Sequence, residues 1–189
     1  MIRIGILGNI GSGKSYVAKN FGYPVFNADY EVSKLYKKDK KIFKKLKKKL
    51  PKYISSFPIN KNEITKAILT NKVNLKKIIT IVHLEIRKIL KLFLKKNRNK
   101  KVIILDIPLL LENKINNKSD ILVFVESRKE EIEKRIKKRV NFNRRLLNKF
   151  KKIQYSKSYK KKKSDFIIKN DFTKKSVKMG IRNILNKIQ

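Results

Sequence analysis

The stretch Gly8-Asn9-Ile10-Gly11-Ser12-Gly13-Lys14-Ser15 matches the pattern G-x-x-x-x-G-K-[ST] at every fixed position. Its chemistry is specific. Glycines allow backbone N–H groups to turn inward around a phosphate, and the helix that starts at the loop adds its positive end. Lys14 is placed to reach the β- and γ-phosphates, and Ser15 to offer a hydroxyl to Mg²⁺. With 6 glycines and 43 lysines in 189 residues, chance supplies only ~0.003 such matches per chain. The flanks agree with the motif. Ile2, Ile4, Ile6 and Leu7 read as a buried strand before the loop, and Lys14 to about Phe21 as a helix after it, ended by Gly22 and Pro24. Four of the six glycines fall in residues 5–13, where such a turn needs them. The chain is therefore expected to bind a nucleoside triphosphate.

Working outward, alternating strands and helices set the fold class. Val25-Phe26-Asn27-Ala28-Asp29 reads as a short second strand ending in a carboxylate, followed by one basic helix from Tyr30 to about Leu50. Pro51 and Pro58 bracket a loop, and Asn62–Thr70 forms a short helix. Asn74 is expected to cap a long helix whose apolar residues Leu75, Ile78, Ile79, Val82, Ile86, Ile89, Leu90 and Phe93 recur at helical spacing. Val102–Ile107 reads as a central buried strand and Ile121–Val125 as another. Ser127-Arg128-Lys129-Glu130 has the form of a capping box for a helix running to about Arg139. Residues 140–164 are very basic and weakly patterned, Phe166-Ile167-Ile168 is a last strand, and Thr173 opens a C-terminal helix. Buried strands alternating with helices predict an α/β fold with a parallel sheet and helices on both faces.

Composition narrows the function. Lys+Arg is 52 and Asp+Glu 14, a net charge of +38, while 41% hydrophobic content still supports a core. The absence of cysteine excludes a disulfide framework, cysteine-ligated zinc and thiol chemistry, and a single histidine, His83, excludes a multi-histidine metal site. The lysines run along the whole chain, as in Lys160-Lys161-Lys162-Lys163, whereas arginine, the better fork for phosphate and guanine, occurs only 9 times. This reads as a solvated face and not as a specific nucleic-acid site. The charge nevertheless draws polyanions, nucleotides among them, toward the surface. Apolar runs such as Ile103-Ile104-Leu105 and Leu109-Leu110-Leu111 are too short to span a bilayer. The stretch Met1–Leu7 stops at the glycine-rich turn with no small-residue cleavage site, so a cytoplasmic location is expected. The length suits a small-molecule or nucleotide kinase better than a motor. A basic nucleic-acid-binding P-loop protein is the remaining alternative; no feature sets an oligomeric state.

Several segments, in order, resemble the dephospho-CoA kinase family. The loop is similar to the family's G-G-I-G-S-G-K-S, and Val25–Asp29 to its V-I-D-A-D. Ile81-Val82-His83 falls where the family has a leucine-histidine-proline segment. Ile107-Pro108-Leu109-Leu110-Leu111-Glu112 resembles P-L-L-x-E, and Arg135–Arg139 resembles R-x-x-x-R at the start of the lid. Gln154 and Ser164-Asp165-Phe166-Ile167-Ile168-Lys169-Asn170 resemble the lid glutamine and A-D-x-x-I-x-N. The chain departs from the pattern at Asn27, in place of the first acid, at Leu84, in place of proline, at Tyr16, where threonine is common, and at Asp171-Phe172, where glycine follows the asparagine.

The resemblance implies one domain over 1–189: a P-loop kinase core (1–29, 100–135 and 165–189), a helical acceptor-binding region (30–99) and a lid (136–164). It implies transfer of the ATP γ-phosphate to the ribose 3′-hydroxyl of 3′-dephospho-CoA, with Mg²⁺. ATP would be held by Gly8, Asn9, Ile10, Gly11, Ser12, Gly13, Lys14, Ser15 and Tyr16, with Arg135 and Arg139 clamping its phosphates and Asn170 near the adenine. Asp29, Lys14 and Arg139 would be catalytic, with Asp29 orienting the hydroxyl and accepting its proton. Arg135 and Arg139, four apart, are expected on one helix face. His83, Pro108, Leu109 and Leu110 would join Asp29 at the acceptor. Asp106, ending its strand, is expected to hold Mg²⁺ with Ser15, as a second carboxylate does in P-loop proteins.

Overall fold

The computed structural model describes residues 1–139 and 142–188, and the chain divides into two compact units. The first comprises Met1–Asn27, Asn97–Asn143 and Lys151–Gln189; the second comprises Ala28–Lys96 and Arg144–Phe150. Of the expected lid, Val140 and Asn141 lie outside the described residues, as does the terminal Gln189.

Five strands form the first unit's sheet: β1 (Ile2–Gly8), β2 (Val25–Asn27), β3 (Val102–Asp106), β4 (Ile121–Glu126) and β5 (Phe166–Lys169). Every neighbouring pair is parallel, in the order β2-β3-β1-β4-β5. β1 holds the centre with β3 and β4 beside it, and all five residues of β3 are buried, as expected of a central strand. Parallel sheets bury both faces, which is why β3 and β4 read as unbroken apolar runs. On one face Ile4, Ile6, Ile104, Val123, Val125 and Ile168 pack with α1 (Lys14–Asn20) and the C-terminal helix Lys174–Ile188. On the other, Leu110 and Leu122 fill the space above Gly5, where an added Cβ would stand 2.5 Å and 2.9 Å from their methyl carbons.

The strands share one polarity, so their carboxyl ends lie along one edge, the edge at which such sheets bind ligands. The phosphate loop, Asp106, Ser127 and Asn170 all follow or end strands there. The amino edge carries stability instead. One Arg3 Nη donates to Asp120 Oδ2 at 3.0 Å and Nε lies 2.9 Å from Oδ1, an ion pair that ties β1 to the approach to β4.

The second unit is helical: α2 (Ala28–Lys38), α3 (Lys40–Lys49), α4 (Lys61–Thr70) and α5 (Lys72–Lys96), with Arg144–Phe150 of α7 (Arg144–Ile153). Helix α5 buries Leu75, Ile78, Val82, Ile86 and Leu90 and packs against α2, α3 and α4. The Lys149 ammonium donates to the carbonyls of Ile68 and Leu69 at 2.8 and 3.0 Å, satisfying the open C-terminal end of α4.

Four boundaries differ from the sequence reading. The single helix expected over 30–50 breaks at Asp39, whose carboxylate accepts from the N–H groups of Lys41 and Ile42 and so caps α3. Strand β2 ends at Asn27, so Asp29 lies in the first turn of α2 and not on a strand. Asn74 is inside α5, buried, with its amide donating to the Ala67 carbonyl; Asn71 instead accepts from the N–H of Val73. Helix α6 (Lys129–Lys137) starts after Arg128 with no side-chain cap, because the Ser127 hydroxyl is held elsewhere.

Candidate active site

The loop from β1 to α1 takes the shape its glycines allow. Gly11 and Gly13 have φ of 87° and 89°, in the left-handed region that other residues avoid. Space demands glycine as well: a Cβ on Gly13 would stand 2.4 Å from the Asn170 amide nitrogen, and one on Gly11 2.8 Å from Ile136 of α6. Asn9 and Ile10 form a half-buried turn, closed by Ser12 N–H donating to the Asn9 carbonyl at 3.1 Å. Ser15 and Tyr16 are exposed at the opening of α1. The Lys14 ammonium folds back over the loop and donates to the carbonyls of Gly8 (3.1 Å) and Asn9 (2.8 Å). A cation is thus held inside the turn.

Asp106 ends β3 opposite Asn27 of β2 in the strand register, and the Asn27 amide donates to its Oδ2 at 2.5 Å. Asp106 is only 3% exposed. The site thus offers one oriented carboxylate and one exposed hydroxyl, Ser15. That donor set suits Mg²⁺, which takes one or two protein oxygens and keeps the rest of its shell for water and phosphate.

The remaining expected residues are spread over both units. Asp29 is exposed two residues after the end of β2, at an end of α2 where a carboxylate is electrostatically favoured. His83 is half-buried in α5; burial first, then the nearby Arg87 charge, hold its imidazole below the usual histidine range. Pro108 and Leu109 are half-buried, whereas Leu110 is fully buried in the core against Gly5 and Leu122. Arg135 stacks its guanidinium over the Phe172 ring, 4.3 Å from the centroid. Arg139 does not share its helix face: α6 ends at Lys137, and Arg139 is exposed beyond the C-cap. Asn170 is 2% exposed, and its amide donates to the Ser12 carbonyl at 2.8 Å.

A family model for dephospho-CoA kinase matches residues 2–176. Dephospho-CoA kinase of Wolbachia pipientis wMel is 34% identical over 190 residues, covering 98% of this chain and 97% of the relative. The chain belongs to the dephospho-CoA kinase family. It is accordingly an ATP-dependent kinase, a transferase. The dephospho-CoA kinase of a Wolbachia strain from Brugia malayi is 32% identical with the same coverage. Two solved structures share the fold. A Thermus thermophilus protein designated TT1252 superposes with a TM-score of 0.77 at 23% identity, covering 100% of this chain and 98% of that one. Dephospho-CoA kinase from Campylobacter jejuni superposes at 0.59 and 22%, covering 99% and 97%.

Within this dephospho-CoA kinase family member, sequence reasoning passed over a buried charge pair. Lys160, taken with its run as a solvated face, is 1% exposed. Its ammonium lies 3.2 Å from Glu112 and donates to Gln154 at 3.3 Å. The same Glu112 oxygen accepts from the Tyr155 N–H at 2.8 Å. The pair ties the P-L-L-x-E segment to the segment around the lid glutamine. Neither residue stands near the other in sequence, so no local pattern announces it. Removing one partner leaves the other charge buried and uncompensated, at a cost of about 3–5 kcal/mol. Lys160→Met and Glu112→Leu are each expected to lower the denaturant midpoint, and the double variant to regain most of the loss. A double variant no more stable than either single one would contradict the pairing.

Proposed function

We propose that the chain transfers the γ-phosphate of ATP to the ribose 3′-hydroxyl of 3′-dephospho-CoA, giving ADP and CoA. The observation that carries this reading is the phosphate loop, built at the carboxyl edge of a parallel sheet in a chain of this family. Phosphoryl transfer requires positioning and charge neutralisation more than covalent chemistry, and the residues are suited to those tasks. The loop residues Gly8–Ser15 and Tyr16 hold the triphosphate. Lys14 gives up its loop carbonyls for β- and γ-phosphate oxygens. Asp29 orients the acceptor hydroxyl and takes its proton. Arg139, exposed beyond α6, neutralises charge on the transferring group, and Arg135, stacked over Phe172, is the second cation for the phosphates. His83, as a neutral imidazole, and Pro108 and Leu109 contribute to acceptor binding, while Leu110 supports them from the core. Ser15 and Asp106 would hold Mg²⁺, which when bound offsets the charge on the phosphate oxygens. The region 30–99 serves the acceptor and 136–164 acts as the lid. Both substrates are water-soluble, which suits a cytoplasmic enzyme, and among the described residues no helix is long and apolar enough to cross a membrane.

The test is direct. The protein with ATP and Mg²⁺ is offered dephospho-CoA, nucleoside monophosphates and pantetheine compounds, and each is examined by mass for one added phosphate. Dephospho-CoA alone should gain it. Phosphate on another acceptor, with none on dephospho-CoA, would make this a different small-molecule kinase.

A further inference from the structure

The phosphate loop is held at one point by the tips of two other strands. Ser127 and Asn170 stand one residue beyond the last register pair of β4 and β5, Glu126 opposite Lys169, and so lie side by side at the edge of the sheet. Both donate to the same acceptor: the Asn170 amide reaches the Ser12 carbonyl at 2.8 Å and the Ser127 hydroxyl reaches it at 3.0 Å. Asn170 is itself fixed. Its N–H donates to the Glu126 carbonyl at 2.7 Å, and its side-chain oxygen accepts from the Phe172 N–H at 2.9 Å. The carbonyl of Ser12 and the N–H of Gly13 belong to one planar trans peptide, so they point in opposite directions. Pinning the oxygen against the strand tips therefore aims the Gly13 N–H away from them, toward the interior of the loop. Gly13 makes this possible, because any side chain there would collide with the Asn170 amide.

We infer that Asn170 and Ser127 are positioning residues for ATP: by clamping the Ser12 carbonyl they preset the Gly13 amide that faces the triphosphate, and Asn170 makes no contact with the base. The inference rests on the assignment of residues 8–15 as the triphosphate site. It separates cleanly from a base-reading role, because a preset loop serves the phosphates whatever is attached to them. A polar side chain with both ends of its amide already bonded, 2% exposed, has little left to offer an adenine.

The experiment measures displacement of a fluorescent ATP analogue from the full chain by ATP and, separately, by inorganic tripolyphosphate, at fixed salt so that the +38 surface contributes equally throughout. Asn170→Ala is expected to weaken both competitors by the same factor, about tenfold, and Ser127→Ala both by about threefold. In turnover, KM for ATP should rise while KM for dephospho-CoA stays at the wild-type value, a split that general loss of structure would not produce. Weakened ATP with unchanged tripolyphosphate would show that Asn170 reads the base and would overturn the proposal, as would no change in either. If Asn170→Ala fails to fold, Ser127→Ala decides by the same criterion. A wild-type chain that bound neither competitor would remove the triphosphate site itself, and the proposal with it.

Discussion

Lys14→Ala should reduce ATP-dependent formation of CoA by at least about a hundredfold, the scale on which a preorganised charge at a transferring group contributes. The ammonium is the one cation that the described structure places inside the phosphate loop, where it bonds two of the loop's own carbonyls. Its removal takes away the charge that would meet the phosphates and also two hydrogen bonds that hold the loop. A melting curve separates the two effects. The two bonds lost are local to one turn at the edge of the sheet, so the midpoint should move little while product formation collapses. Substantial product from the variant, measured by mass, would mean that the loop does not carry the reaction.

Asp29→Asn is expected to cut turnover by roughly a hundredfold or more, the usual contribution of a positioned base, while the dissociation constant for ATP stays near wild type. The substitution keeps the shape of the side chain and removes its negative charge and its capacity to take a proton. Asp29 opens α2, so neutralising it also forfeits a favourable charge at a helix start, a loss of about 0.3–1 kcal/mol that melting would register as a small shift. Turnover equal to wild type would leave Asp29 as a helix-terminal charge and send the search for the base elsewhere.

The nucleotide end of the protein was readable because its information is contiguous. Eight consecutive residues specify a turn and its conformation, and the apolar runs on either side specify the strand and helix that present it. Local patterns misled where a side chain finds a distant partner. Ser127 begins a four-residue capping box, yet its hydroxyl bonds Ser12, 115 positions away, and α6 starts uncapped. Lys160 is chemically identical to the three lysines after it, and only the position of Glu112 sets it apart. Asn74 looks like a cap and is instead an interior amide satisfied by Ala67. Asp39 is the opposite case: the cap was written in the sequence, inside a lysine-rich stretch whose helical pattern seemed unbroken. Arg139 shows the cost of extending a period past its helix, because a spacing of four places two side chains on one face only while the helix continues.

The clasp between Arg3 and Asp120 and the reversal near Asn97–Lys100 that leads into β3 lie at the amino rim of the sheet, opposite the edge that carries the glycine-rich loop. That rim is a natural handle. A fluorophore, a bead linker or a short inserted tag placed in the reversal would hang from the side of the sheet remote from the nucleotide, so the enzyme could be anchored or watched while it works.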